Sequence, residues 1–146
     1  WKEKIEPLVK THANVDYVGE ITERQKGEFL GNAAALLFPI DWEEPFGLVM
    51  IEAMACGTPV IAFRRGSVPE VMDDGVSGFV VDTVDQAVAA VERVAGLSRK
   101  SVRAVFDARF TAERMAREYV RTFEEQLNLG ADAASHTNTE LQSIAI

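Results

Sequence analysis

Two glutamates, Glu44 and Glu52, are the residues whose type and spacing most suggest chemistry in this chain. Glu52 stands alone in a run that is otherwise apolar from Leu48 to Cys56, and a helix that is apolar on every side is normally buried. A buried carboxylate is costly unless it is paired or hydrogen-bonded, so Glu52 requires a partner. The run offers no basic side chain at helical spacing. The partner is therefore either a distant side chain or a ligand, and a neutral ligand rich in hydroxyls would suit it.

The loop that carries Glu44 leads into this predicted helix, whose first backbone N–H groups favour an anion, most often phosphate. Gly47 removes a side chain where a ligand would come close. Glu52 lies about one turn inside the helix, where its carboxylate can accept two hydrogen bonds from a vicinal diol such as a ribose. Phosphate at the helix end and ribose one turn along describe a nucleotide diphosphate, with Glu44 facing the group beyond the phosphates.

Short, continuously apolar runs alternate with helical patterns over most of the chain. This alternation predicts an α/β fold, a Rossmann-like, doubly wound parallel sheet covered on both faces. Ligands of such sheets bind at the carboxyl ends of the strands, here the loops 19–21, 39–47 and 64–67. The predicted strands are 15–18, 35–38, 60–63 and 79–81. The predicted helices are 22–33, 48–56, a short one from the capping box Ser67–Glu70, and one after Thr83 with Val84, Ala87, Val88, Val91 and Val94 as its apolar face.

After Gly96 the pattern becomes helical throughout. One helix is predicted from Ser98 to Ala108, and Thr111 begins a longer one. The apolar stripe of that longer helix is interpreted as a packed face; it consists of Met115, Tyr119, Phe123 and Leu127. Residues 130–146 are small and polar without a clear period. We therefore predict one domain over residues 1–129, followed by a flexible tail over residues 130–146.

Composition excludes several classes of function. The 146 residues are 47% hydrophobic and 26% charged, as in an ordinary soluble domain with its own core. The net charge of -8 argues against nucleic-acid binding and against strong attraction to an anionic membrane. The single cysteine, Cys56, excludes an internal disulfide and fits a reducing compartment. The predicted location is cytoplasmic, with peripheral attachment at the cytoplasmic face of a membrane as the alternative.

The run from Glu44 carries a specific motif, Glu-Pro-Phe-Gly followed by Glu-Ala-Met-Ala-Cys-Gly-Thr-Pro-Val from Glu52. With Pro69-Glu-Val71 and Asp74-Gly75-Val-Ser-Gly78, it resembles the family 4 retaining glycosyltransferases, which have the GT-B fold. The likeness extends more weakly from residue 14 to residue 119. It implies transfer of a glycosyl group, with retention at the anomeric carbon, from a nucleotide diphosphate sugar linked to UDP, GDP or ADP. No metal or other cofactor is implied.

The resemblance also assigns roles to residues. Glu52 would bind the ribose hydroxyls, and Glu44 would contact the donor sugar as the catalytic residue. Backbone N–H groups of residues 47 and 48 would meet the phosphates, and the loop 19–21 would border the base. The implied donor-binding residues are Gly19, Glu20, Ile21, Phe46, Gly47, Leu48 and Glu52. The acceptor, whether a sugar, a lipid or another small molecule, is not indicated.

A GT-B enzyme has two Rossmann-like domains with the active site between them. The amino-terminal acceptor domain has no counterpart here, nor do the first strand–helix units of the donor domain, with their Arg and Lys pair for the diphosphate. From this and from the start at Trp1, we expect a fragment, a processed product or an engineered truncation. It would be inactive alone and would need the missing domain or a partner chain. The strand at 15–18 would lack its neighbour, which predicts a rearranged pairing or a partner chain. An uncovered face of the last helix would favour a homo-oligomer.

Other interpretations stay open. The sequence is also compatible with a non-catalytic module that binds a nucleotide or a partner, and with part of a phosphorylase or epimerase. A dinucleotide-binding oxidoreductase needs a Gly-x-Gly-x-x-Gly turn, which is absent. The simpler alternatives for single residues are a distant salt bridge for Glu52, a solvated loop carboxylate for Glu44, and surface positions for Arg64 and Arg65. Cys56 is interpreted as a small packing residue, and the Ser67–Glu70 box as a helix cap.

Overall fold

The computed structural model describes residues 2–143, and their side chains through residue 128. Its sheet has three parallel strands in the order β1 (Leu36–Phe38), β2 (Val60–Phe63) and β3 (Gly78–Val81). Leu37 lies opposite Ile61, which in turn lies opposite Phe79. The parallel, Rossmann-like sheet predicted from the short apolar runs is confirmed.

Seven helices surround this sheet within the described range. The capping box predicted at the start of α2 forms, because the backbone N–H of Thr22 donates to Oε1 of Gln25 at 3.1 Å. Thr83 caps α5 by accepting from the N–H of Gln86 at 3.2 Å. The helices are α1 (Glu6–Thr11), α2 (Glu23–Asn32), α3 (Leu48–Ala55), α4 (Val68–Val71), α5 (Val84–Val94), α6 (Arg99–Arg109) and α7 (Ala112–Ser143). The sequence had not predicted α1.

Apolar side chains bury both faces of the sheet, because successive residues of a strand point to opposite sides. On one face, Val60 and Ala62 of β2 pack with Met50 and Met54 of α3 and with Val102 of α6. The other face packs against α5. Its cluster consists of Ile61, Phe79, Val81, Ala90 and Val94. The carboxyl ends of all three strands therefore share one edge of a two-sided core.

Residues 15–18 do not form the predicted strand. Val15 and Val18 are 46% and 62% exposed. A strand persists only where its backbone groups find a neighbouring strand, and none of the three described strands pairs with this segment. The rearranged pairing predicted for it therefore does not occur among the described residues, whereas a partner chain stays a prediction.

Two helices differ from their predicted form. The sheet-facing side of α5 is formed by Ala90 and Val94, whereas Val84, Val88 and Val91 are 66%, 59% and 49% exposed. The predicted face was therefore right for Val94 and for the partly buried Ala87, and wrong for these three valines, because the apolar cluster under α5 meets the side that carries Ala90. Helix α7 continues to Ser143, well beyond the predicted boundary near residue 129. The stripe interpreted as packed is exposed; it consists of Met115, Tyr119, Phe123 and Leu127. Flexibility of residues 130–146 stays a prediction, and residues 144–146 lie outside the described range.

Candidate functional site

The loop between β1 and α3 ends in a left-handed turn. Gly47 is the N-cap of α3 with φ 77°, a conformation that glycine adopts without the strain a side chain would bring. A Cβ there would also lie 2.3 Å from Cε of the buried Met50. Leu48 follows as the first helical residue and is 64% exposed. This turn aims the first backbone N–H groups of α3 at the carboxyl edge of the sheet.

Glu44 is held by its own loop. Its Oε1 accepts the backbone N–H of Gly47 at 2.9 Å, and its Oε2 accepts the indole N–H of Trp42 at 3.0 Å. The ring of Phe46, the residue before Gly47, packs edge to face against Phe110, with ring centroids 6.3 Å apart. Glu44 is thus fixed beside the N-terminus of α3. Its carboxylate accepts a hydrogen bond from the N–H of Gly47, one of the groups predicted to meet phosphate. The alternative of a merely solvated carboxylate does not describe this arrangement.

The loop after β2 lies directly against the loop of Glu44. A Cβ on Gly66 would lie 2.3 Å from the carbonyl oxygen of Glu44, so only glycine allows this approach. The N–H of Ser67 donates to that carbonyl at 2.8 Å, and the N–H of Gly66 donates to Oε2 of Glu43 at 2.6 Å. The hydroxyl of Ser67 is buried without a hydrogen-bond partner among the described residues and does not form the predicted side-chain cap. Two of the three predicted loops therefore form one unit.

The two arginines of this loop pair with nearby acids. Arg64 Nε contacts Oδ1 of Asp82 at 3.1 Å, and Arg65 Nη2 contacts Oδ1 of Asp41 at 3.4 Å. All four side chains are more than one third exposed, so these pairs contribute little to stability. The simpler interpretation of surface arginines fits this arrangement.

Glu52 finds a distant side chain. Oε1 of Glu52 accepts from Nζ of Lys26 on α2 at 2.8 Å, and the same ammonium contacts Oε1 of Glu23 at 2.6 Å. These hydrogen bonds, first to Glu23 and then to Glu52, raise the pKa of Lys26 above its ordinary value of 10.5. Glu52 remains 33% exposed, and its Oε2 has no hydrogen-bond partner in the described part of the chain. The sequence had left open whether a side chain or a ligand meets Glu52. In the structure a side chain, Lys26, bonds Oε1, and Oε2 remains available to a ligand.

Lys26 escaped the sequence analysis because no local pattern says which helix packs beside α3. The contact depends on a frame of hydrogen bonds that joins the two helices. Thr58 Oγ1 donates to the carbonyl of Leu30 at 2.6 Å, and Cys56 Sγ lies 3.7 Å from the carbonyl of Gly27. Arg99 donates to the carbonyls of Gly31 and Ala33 and to Thr58 Oγ1. The signal available in the sequence was only a lysine within the helix predicted over residues 22–33.

The remaining predicted loop, residues 19–21, precedes α2 and lies against a different part of that helix. Gly19 has φ 73°, and the two residues after it line an open groove of about 570 Å³. The groove is lined by Val18, Glu20, Ile21, Gln25, Glu28, Phe29, Asn32 and Ala33. Neither Glu44 nor Glu52 borders it. The structure therefore joins the loops 39–47 and 64–67 and does not bring the residues 19–21 into the same cavity.

The family model described as glycosyl transferases group 1 matches residues 3–109. The chain is 43% identical over 115 residues to a D-inositol 3-phosphate glycosyltransferase of Saccharomonospora viridis, covering 75% of this chain and 25% of that protein. It also resembles the structure of a sucrose-phosphate synthase of Thermosynechococcus elongatus, with a TM-score of 0.71 and 31% identity, covering 86% of this chain and 34% of the other.

A further structural neighbour is Anabaena HepE in complex with UDP, with a TM-score of 0.59 and 23% identity. The match covers 67% of this chain and 29% of the neighbour, so it bears on the fold alone. The chain spans a fifth of the length of a probable sucrose-phosphate synthase of Thermosipho melanesiensis and a quarter of that of the Saccharomonospora viridis relative. Within the described range, no helix combines the length and the apolar character that crossing a membrane requires.

Proposed function

The chain belongs to the glycosyl transferases of group 1, and from this premise we propose that it binds the donor of a retaining glycosyltransferase. The donor is a nucleotide diphosphate sugar. The observation that carries the proposal is the start of α3, where a left-handed glycine exposes backbone N–H groups and Glu52, further along the same helix, keeps Oε2 available.

The donor would lie along the first turns of α3. The N–H of Leu48 makes no hydrogen bond among the described residues, so it can meet a phosphate oxygen. The N–H of Gly47 already bonds Glu44, so a phosphate there requires the Glu44 carboxylate to turn away. Once released, that carboxylate can accept hydroxyls of the donor sugar. Catalysis in the whole protein would be electrostatic, through phosphates held while charge develops on the leaving group. We propose no metal or other cofactor.

A calorimetric titration with UDP, GDP and ADP tests this function, on the unaltered chain and on Glu52→Ala. The exposed Glu92 on α5 provides the matched control, Glu92→Ala. We expect one nucleotide to bind, the Glu52 variant to bind it more weakly, and the control to be unchanged. Absence of binding by all three nucleotides at millimolar concentration would remove the proposal. Equal binding by the Glu52 variant would remove the ribose role.

A specific observation favours the second candidate function, binding without chemistry by this chain alone. The cations near the site are engaged: Lys26 by two glutamates, Arg64 by Asp82 and Arg65 by Asp41. A diphosphate would therefore lack a dedicated cationic partner within the described residues. We propose that transfer requires the acceptor domain or a partner chain, in the cytoplasm. Hydrolysis or transfer of a nucleotide sugar by the purified chain alone would contradict this.

A further inference from the structure

Lys26 on α2 lies between two carboxylates that differ in their exposure to solvent. Its Nζ contacts Oε1 of Glu23 at 2.6 Å and Oε1 of Glu52 at 2.8 Å. The side chains of Lys26 and Glu52 are 27% and 33% exposed, whereas Glu23 is 88% exposed. The ammonium therefore joins a freely solvated acid on its own helix to a partly buried acid on α3.

We propose that Lys26 is a positioning residue for ribose recognition: it holds Oε1 of Glu52 so that Oε2 is presented to the vicinal diol of a nucleotide. This inference rests on the proposed function and assigns a role to a residue on a neighbouring helix.

The geometry supports a positioning role because both ends of the contact are fixed. Helices α2 and α3 are joined by the hydrogen bond of Thr58 to Leu30 and by the bonds that Arg99 donates to the end of α2. Lys26 therefore reaches Glu52 from a helix that these bonds tie to the end of α3. A glutamate side chain has several rotamers, and holding one of them in advance removes an entropy cost from binding.

The arrangement also leaves enough acceptor capacity for the ligand. An ionised carboxylate offers about four lone-pair positions, and Lys26 uses one of them on Oε1. Both hydroxyls of a diol can donate to the remaining positions. A direct contact of Lys26 with phosphate would instead require it to leave Glu52, and that alternative is an outcome of the test.

Four variants separate these roles. Lys26→Met removes the charge while keeping the length of the side chain, and Lys26→Arg keeps the charge. Glu23→Gln removes the exposed partner only. Lys10→Met is the matched control, because Lys10 forms an exposed pair with Glu6, 71% and 34% exposed, on α1. Each full-length variant is titrated with the tightest-binding of UDP, GDP and ADP, and with the 2′,3′-dideoxy form of that nucleotide.

We expect Lys26→Met to weaken binding of the ribonucleotide about fivefold to tenfold, as for the loss of one charge-assisted contact, while the dideoxy nucleotide changes less than about twofold. Lys26→Arg should restore most of the selectivity for ribose, and the variants of Glu23 and Lys10 should keep it. The ratio of the two dissociation constants is the decisive readout, because a purely structural defect would weaken both nucleotides alike. The calorimetric stoichiometry reports the folded fraction of each variant.

Three results would overturn the inference while leaving the proposed function intact: unchanged selectivity in Lys26→Met, equal weakening of both nucleotides, or tighter ribonucleotide binding. Equal weakening would indicate a phosphate contact, and tighter binding would show that Lys26 competes with ribose. If the unaltered chain binds no nucleotide, or does not distinguish the dideoxy form, the proposed function or its ribose role fails first, and the inference fails with it.

Discussion

The two outer strands of the sheet, β1 and β3, differ in whether their outward backbone groups are hydrogen-bonded. At β3 three outward backbone groups are bonded within the chain. The N–H of Val80 donates to Oδ1 of Asp74 at 2.9 Å, and the N–H of Asp82 donates to Oε1 of Gln86 at 2.7 Å. The carbonyl of Gly78 accepts the N–H of Gly75 at 2.8 Å. These bonds leave fewer backbone groups for an extra strand to join, as in natural sheets that cover an edge with a loop.

At β1 the outward groups are open. Leu36 bonds β2 through Pro59 at 2.9 Å, so the backbone of Leu37 points away from the sheet. The described residues provide no hydrogen bond to that backbone, and the Leu37 side chain is 58% exposed. The uncovered flank of α5, with Val84, Val88 and Val91, lies on the same face of the sheet as Leu37. The difference indicates that the sheet terminates at β3 and that β1 has the features of an internal strand.

Hydrogen exchange should show the largest contrast between the two edges. We expect the amide of Leu37 to exchange roughly a hundredfold faster than the amides of Val80 and Asp82, because only the latter two have acceptors. Exchange followed by NMR or mass spectrometry measures this directly. Comparable protection at low protein concentration would contradict the difference, whereas protection of Leu37 that grows with concentration would indicate a second copy on β1.

Removing the cover from β3 should destabilise the protein moderately. Asp74→Ala leaves the N–H of Val80 without its acceptor, and we expect a loss of about 1 kcal/mol in the free energy of unfolding, since water replaces part of the bond. Urea unfolding provides the measurement. Asp16→Ala, an exposed aspartate outside the sheet, is the control. A loss no greater than that of the control would mean that Asp74 does not protect the edge.

A charged side chain on β1 should change self-association of the protein more than its stability. Leu37→Lys places a charge on the open edge, and we expect self-association, measured by sedimentation, to weaken about tenfold with a stability change within about 0.5 kcal/mol. Val76→Lys, in the turn before β3 and 43% exposed, is the matched control and should leave association unchanged. If Leu37→Lys has no effect while Phe123→Glu abolishes association, the exposed stripe of α7 is the interface instead.

The same contrast explains what the sequence could predict. Local signals located β1, β2 and β3 and the cap of α2, because an apolar run or a capping box is contained in a few neighbouring residues. The acids and the glycine at the start of α3 were also found in this way. The segment 15–18 has an equally good strand pattern, yet it forms no strand, because pairing depends on a neighbour that the segment does not contain. Lys26 and the sheet contact of Ala90 on α5 were missed for the same reason, since both depend on contacts between distant elements.

The smallest expected effect concerns the helix contact on the β1 side. Hydrogen bonds to Glu23 and then Glu52 raise the pKa of Lys26 above 10.5. A group whose pKa is raised in the folded state stabilises the fold fully below its unfolded pKa and loses that contribution as the pH rises through the folded pKa. The stability advantage of the unaltered chain over Lys26→Met should therefore be constant from pH 7 to about pH 10 and shrink above it.

Thermal unfolding of the two proteins across this range measures that advantage, with Lys10→Met as the control for loss of a lysine from an exposed pair. An advantage that stays constant beyond pH 11, about half a unit above the ordinary lysine value, would mean that the charge of Lys26 does not join α2 to α3. In that case the open side of the sheet would be held by the bonds of Thr58 and Arg99 alone, and Glu52 would owe its position to α3 itself.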